Sequence, residues 1–93
     1  MLENNSTNVS GSNQEYERLF PGEPLEINLR FGARLGALRT QRELSQEELA
    51  LRLLVPVSHL IDLEAGRKSA SIIDLDSLAR QFKVSIAELV MGL

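Results

Sequence analysis

The stretch Leu44-Ser45-Gln46-Glu47-Glu48-Leu49-Ala50 decides how this chain folds. Ser45 stands three residues before Glu48. At that spacing the serine hydroxyl accepts from the backbone N–H of Glu48, and the Glu48 carboxylate accepts from the backbone N–H of Ser45. Leu44 just before the cap and Leu49 just inside it are placed as a hydrophobic staple. A sharply started helix is therefore predicted over about Gln46 to Leu53, burying Leu49, Ala50 and Leu53. After a turn, a second short helix is predicted over about Val57 to Ala65, with Leu60 and Leu63 inward and Gly66 as a natural terminator.

Working outward, Phe31, Leu35 and Leu38 recur at helical spacing from about Asn28 onward. Gly32, Ala33, Gly36 and Ala37 are all small. Glycine inside a helix costs roughly 1 kcal/mol relative to alanine, so two glycines there predict close approach by a neighbouring helix. Downstream, Ser71 with Asp74 repeats the capping box and starts a fourth helix with Ile72, Leu75, Leu78 and Ala79 on its inner stripe. Ser85 with Glu88 does so again, starting a short fifth helix with Ile86, Leu89 and Val90. No alternating apolar pattern with hairpin punctuation competes. The expected fold is all-α, a compact five-helix bundle over residues 28–93.

Composition bounds the rest. Ninety-three residues make one small domain with a single core. The absence of cysteine excludes a disulfide framework and thiolate metal sites, and fits a cytoplasmic location. No apolar run approaches about 18 residues, so no membrane-spanning helix is expected. The N-terminus is too polar for a signal peptide. The formal net charge is −3. Residues 1–27 carry Glu3, Glu15, Glu17, Glu23 and Glu26 against Arg18, a balance of −4, while residues 28–93 balance at +1. The acidity belongs to the N-terminal arm.

That arm, residues 1–27, is expected to be disordered over residues 1–14. Tyr16, Leu19, Phe20, Leu25 and Ile27, interrupted by Pro21-Gly22 and Pro24, then form an apolar segment that cannot fold alone. Two readings of it stand: loose packing on the domain, or a contact between subunits.

The pieces Phe31-Gly32-x-Arg34-Leu35-x-x-Leu38-Arg39, Leu44 to Ala50, Leu63-Glu64-x-Gly66-Arg67, and Leu78-Ala79 before Val84-Ser85-Ile86-x-Glu88-Leu89 together resemble the lambda-repressor/Cro-type (Xre) helix-turn-helix domain. The resemblance spans residues 31–90, with its pieces in the family's order and spacing. It implies a sequence-specific transcriptional regulator that binds an operator in double-stranded DNA as a homodimer, with no cofactor. It implies a structural salt bridge between Arg39 and Glu64, and phosphate contacts from Gln46, Arg67 and Lys68. It places base readout on the second helix of the pair, at Val57, Ser58, Ile61 and Asp62, with His59 near the groove end. For Arg67 and Lys68 an ordinary solvated loop is the competing reading, and for His59 a solvated surface group.

The chain departs from the family in three places. Leu54 occupies the usual turn-glycine position, where a positive φ would strain a leucine by about 1–2 kcal/mol. Pro56 replaces the polar cap of the second helix and is expected at its first helical position. Val57 to Glu64 contains no Lys, Arg, Gln or Asn, the side chains best suited to bidentate base contacts. Leu51, Leu54, Val55, Val57 and Ile61 are expected to form an apolar strip there. A protein-interaction module, antirepressor-like or antitoxin-like, is the alternative this supports. The last helix, around Leu89, Val90, Met91 and Leu93, is expected either to form a dimer surface or to close the monomer core. An enzyme is not expected, because one histidine, no cysteine, no clustered metal ligands and no Gly-rich phosphate loop leave no catalytic constellation.

Overall fold

The computed structural model describes residues 25–93, and residues 1–24 lie outside it together with most of the predicted arm. The described residues form α1 (Glu26–Gln41), α2 (Gln46–Leu53), α3 (Val57–Glu64), α4 (Ile72–Phe82) and α5 (Ile86–Val90), with no strand among them. Helix α3 packs against both α1 and α2, while α4 bridges α2 and α5. Each helix contributes to the same core: Leu35, Leu49, Leu60, Leu78 with Phe82, and Leu89 are essentially inaccessible. The five-helix expectation holds, with α1 beginning at Glu26, two residues before the predicted start.

All three predicted capping boxes form. Ser45 Oγ accepts from Glu48 N at 3.0 Å and Glu48 Oε1 from Ser45 N at 2.8 Å. The same reciprocal pair joins Ser71 with Asp74 and Ser85 with Glu88. Because the motif depends on residues three apart, it operates before any tertiary contact exists. Pro56 departs from expectation. It is the N-cap residue of α3, at φ −62° and ψ 144°, and Val57 is the first helical residue. The proline ring carries no hydrogen-bonding group, so α3 has no side-chain cap.

Helix ends repeat one device. The residue past the helix takes a positive φ, and the following N–H returns to a carbonyl five residues back. Val55 N bonds Ala50 O at 3.1 Å around Leu54, Arg67 N bonds Asp62 O at 2.9 Å around Gly66, and Val84 N bonds Ala79 O at 3.0 Å around Lys83. Leu44 N bonds Arg39 O at 3.2 Å around Glu43 in the same way. Of these four turn residues Gly66 is the one glycine; Glu43, Leu54 and Lys83 sit at φ 58°, 61° and 59°.

Leu54 therefore keeps the family's turn and bears its strain. Its side chain is 87% exposed, so little packing offsets the cost. Leu54→Gly removes about 1–2 kcal/mol of left-handed strain and returns about 0.5–1 kcal/mol in unfolded-state entropy. The variant is expected to melt several degrees higher, at about 4–8 °C per kcal/mol for a domain of this size. An unchanged or lower melting temperature would show that the leucine contributes packing that its exposure conceals.

One inner-face assignment needs correction. Ile72, placed on the inner stripe of the fourth helix, is 75% exposed; the rest of that stripe, Leu75, Leu78 and Ala79, does pack inward, and Phe82 extends it. Ile86 is also exposed, leaving Leu89 as the buried residue of α5. The last helix mainly closes the monomer: Leu89 is buried, Val90 and Leu93 pack on the core, and Met91 points out. A five-residue helix has little stability alone, and α1 holds it. Arg34 donates to the carbonyls of Leu89 at 3.2 Å and Met91 at 2.5 Å, and Arg30 donates to Leu93 O at 2.9 Å. These cations meet the open carbonyl end of the helix, where positive charge is favourable.

Candidate nucleic-acid interface

The site begins where α1, α2 and α3 meet. Glu64, in the last turn of α3, accepts from Arg39 Nε at 2.6 Å and Arg39 Nη2 at 3.0 Å. Arg39 also donates to Leu44 O at 2.8 Å, which fixes the residue preceding the α2 cap. Both side chains are largely buried, at 16% and 10% exposure. The hydrogen bond that Arg39 donates to Glu64 raises the Arg39 pKa further, against the opposing effect of burial. The expected bridge is present and its surroundings are fully paired.

Glu64 holds a third donor that sequence reasoning missed. Gln46 Nε2 lies 3.0 Å from Glu64 Oε1. An amide carries two N–H donors, so one hydrogen of Gln46 is fixed by Glu64 and the other remains for an incoming acceptor. Gln46 is also the first residue of α2, where backbone N–H groups lack helical partners and favour an anion. Glu48 is turned back onto the Ser45 cap, and the Ser45 backbone hydrogen bond pulls its carboxyl below the usual range. The structural bridge and the predicted phosphate contact are thus parts of one hydrogen-bonded junction.

The outward stripe of α3 carries Ser58, Ile61 and Asp62, with Ser58 exposed and the other two half-buried. Val57 is drawn inward and packs on the core. His59 turns away from that stripe toward α4: its Nε2 lies 3.0 Å from Asp74 Oδ1. This corrects the reading of His59 as a solvated surface group, because its side chain is 25% exposed and paired with a neighbouring helix. Burial pushes the Asp74 carboxyl up. Hydrogen bonds from the Ser71 backbone, His59 and the Ser71 hydroxyl outweigh it and leave the pKa lowered. Asp74 therefore closes the α4 cap and anchors α3 at once.

Arg67 and Lys68 follow the Gly66 turn and are mostly exposed, as expected of residues in the loop after α3. Both are drawn back toward Asp62. Arg67 Nε and Nη2 each lie 2.9 Å from Asp62 Oδ1, and Lys68 Nζ is 3.8 Å from Oδ2. This cluster was also missed, since nothing in the spacing of positions 62, 67 and 68 declares it.

The predicted apolar strip is broken. Leu51 and Leu54 are strongly exposed, but Val55 and Val57 pack on the core. Among the described residues no group of His, Asp and Glu is arranged to hold a metal ion, and no helix is long and apolar enough to cross a membrane.

The helix-turn-helix family profile matches residues 35–89. The fold is similar to the restriction-modification controller protein C.AhdI from Aeromonas hydrophila, at 34% identity and TM-score 0.63, covering 67% of this chain and 94% of that one. It is similar to the clp gene regulator ClgR from C. glutamicum, at 32% identity and TM-score 0.66, covering 74% and 88%. The apo competence regulator ComR from Streptococcus vestibularis matches at 28% identity and TM-score 0.66, over 72% of this chain and 23% of that one. No curated protein matches. With a family match over more than half its length, and with the cap, bridge and turn in place, the chain belongs to the lambda-repressor-like helix-turn-helix family.

Proposed function

We propose that this protein is a sequence-specific DNA-binding transcriptional regulator that reads a two-fold related operator as a homodimer. The observation that carries the reading is the Gln46 junction. A partly buried ion pair fixes one amide hydrogen of Gln46 at the N-terminus of α2 and leaves the other for a phosphate oxygen. Gln46, Arg67 and Lys68 position the duplex, and α3 enters the major groove with Ser58 and Ile61 outward. Ser58 can donate or accept, and Ile61 suits a thymine methyl group. Val57 supports that face from its half-buried position, and His59 fixes the angle of α3 against α4. The similarity to C.AhdI, a restriction-modification controller protein, and to ClgR, a clp gene regulator, supports the reading.

Dimerisation is supported by an apolar surface where α1, α5 and the start of α4 meet. Ile27, Phe31, Leu75, Val90 and Leu93 line an open apolar groove of about 370 Å3 between α1 and α5. Ile27 and Met91 stand exposed nearby. A lysine at Ile27 or Met91 is a direct test of this face by sedimentation.

Selection of bound duplexes from a random pool tests the whole reading. A palindromic site is expected to enrich. Gln46→Ala should then weaken binding to every duplex by about tenfold, the worth of a hydrogen bond to a charged acceptor. Ser58→Ala should change which sites are preferred. Equal behaviour of the two variants would refute the division into positioning and readout residues. A protein-interaction role has one observation in its favour: Leu51, Leu54, Ile72 and Ile73 are each more than 70% exposed. Failure of any duplex to enrich would favour it.

A further inference from the structure

We propose that Asp62 is an electrostatic brake: in the free protein it holds Arg67 and Lys68, suppresses attachment to DNA of arbitrary sequence, and releases them to phosphate when the operator is bound. The inference rests on the DNA-binding reading above and goes beyond it by giving Asp62 a role other than base contact.

Helix stability does not account for this carboxylate. Helix α3 has no acidic residue in its first turn and no basic residue in its last. Asp62 and Glu64 instead crowd the C-terminal end, where negative charge is unfavourable. Glu64 is explained by Arg39 and Gln46. Asp62 has neither partner, and surface ion pairs of its kind contribute little to folding.

The following loop is built to present cations to it. Gly66 takes φ +76° with no room for a side chain, since an added Cβ would lie 2.8 Å from Leu29 Cδ2 and 2.9 Å from Leu29 Cα. The Arg67 backbone N–H is bonded to the Asp62 carbonyl at 2.9 Å, so Arg67 is folded back over the residue it pairs with. The carboxylate is shielded at 29% exposure, whereas Arg67 and Lys68 remain 60% and 50% exposed. A phosphate approaching from solvent meets the cations first and competes with Asp62 for them. The trio keeps a net charge of +1 in place of +2. Residues 28–93 as a whole also balance at +1, so restraint at this cluster changes the attraction for a polyanion substantially.

The test uses the full chain and a mixed-sequence duplex, titrated by fluorescence anisotropy over about 50–200 mM salt. Wild type, Asp62→Asn, Arg67→Ala/Lys68→Ala and the triple variant are compared, with circular dichroism to establish that each is folded. Asp62→Asn is expected to bind this duplex about tenfold more tightly and to steepen the log–log salt dependence by about one. In the Arg67→Ala/Lys68→Ala background that gain should shrink to about twofold or less, because the brake acts through those cations. Equal gain in both backgrounds would show direct repulsion by Asp62 and overturn the proposal. So would an unchanged affinity and slope for Asp62→Asn while Arg67→Ala/Lys68→Ala weakens binding, an outcome that leaves the DNA-binding reading intact. Absence of DNA binding by wild type and Asp62→Asn alike would defeat that reading itself, and the brake with it.

Discussion

Gly32→Ala is expected to destabilise the domain by about 3 kcal/mol or more, the upper range for overpacking at a tight contact. The sign is the informative part. At an ordinary helix interior the same change is favourable by roughly 1 kcal/mol. At position 32 an added Cβ would lie 2.5 Å from the Leu63 carbonyl oxygen and closer still to that of Glu64. Both obstacles are backbone, so no side-chain rotation relieves them, and α1 must move away from α3. Gly36 supplies the control one turn later. A Cβ there meets Glu64 Oε1 at 3.5 Å, an ordinary contact, and Gly36→Ala should be neutral or stabilising. Urea unfolding of the two variants decides the matter. A Gly32→Ala midpoint at or above wild type would mean that the two helices do not approach as described.

Glu64→Ala should be comparably damaging, at about 3–5 kcal/mol. It leaves the Arg39 guanidinium largely buried with Leu44 O as its remaining partner, and frees Gln46 from the bond that orients it. The double variant Arg39→Met/Glu64→Leu separates the two consequences. Replacing a buried pair with apolar groups of similar size is often neutral or stabilising, so folding stability should largely recover. DNA affinity should not recover, because Gln46 still lacks its anchor. Full recovery of binding in a folded double variant would show that Gln46 needs no positioning by Glu64.

These residues also show how far a sequence discloses such a site. The three capping boxes were readable because their chemistry is confined to residues three apart. Gly66 announced its turn, whereas Glu43 and Lys83 take the same backbone conformation without any compositional sign. Ile72 was misplaced because it shares a stripe with Leu75, Leu78 and Ala79 but stands at the first residue of α4, which the core does not cover. Packing with α2 and α5 covers the same stripe further along, from Leu78 to Phe82. At the interface, Gln46, Arg39 and Glu64 came from the family resemblance. Their joining into one junction, like the capture of His59 by Asp74, depends on helices meeting from distant parts of the chain. Side-chain type indicated who was present; tertiary structure determined who was already engaged.

The grip of Arg30 and Arg34 on the carbonyls around α5 gives the domain nearly the topology of a ring. Its first and last helices share one edge, and residues from both line the same groove. A circularly permuted chain, with Leu93 joined to Leu25 by a short flexible linker and new ends opened at an exposed loop such as Arg67 to Ser69, would keep every helix and its neighbours. The covalent order of the helices is therefore separable from their packing. It would be the loop carrying the cations, now cut, that reported how much of the interface depends on continuity rather than on proximity.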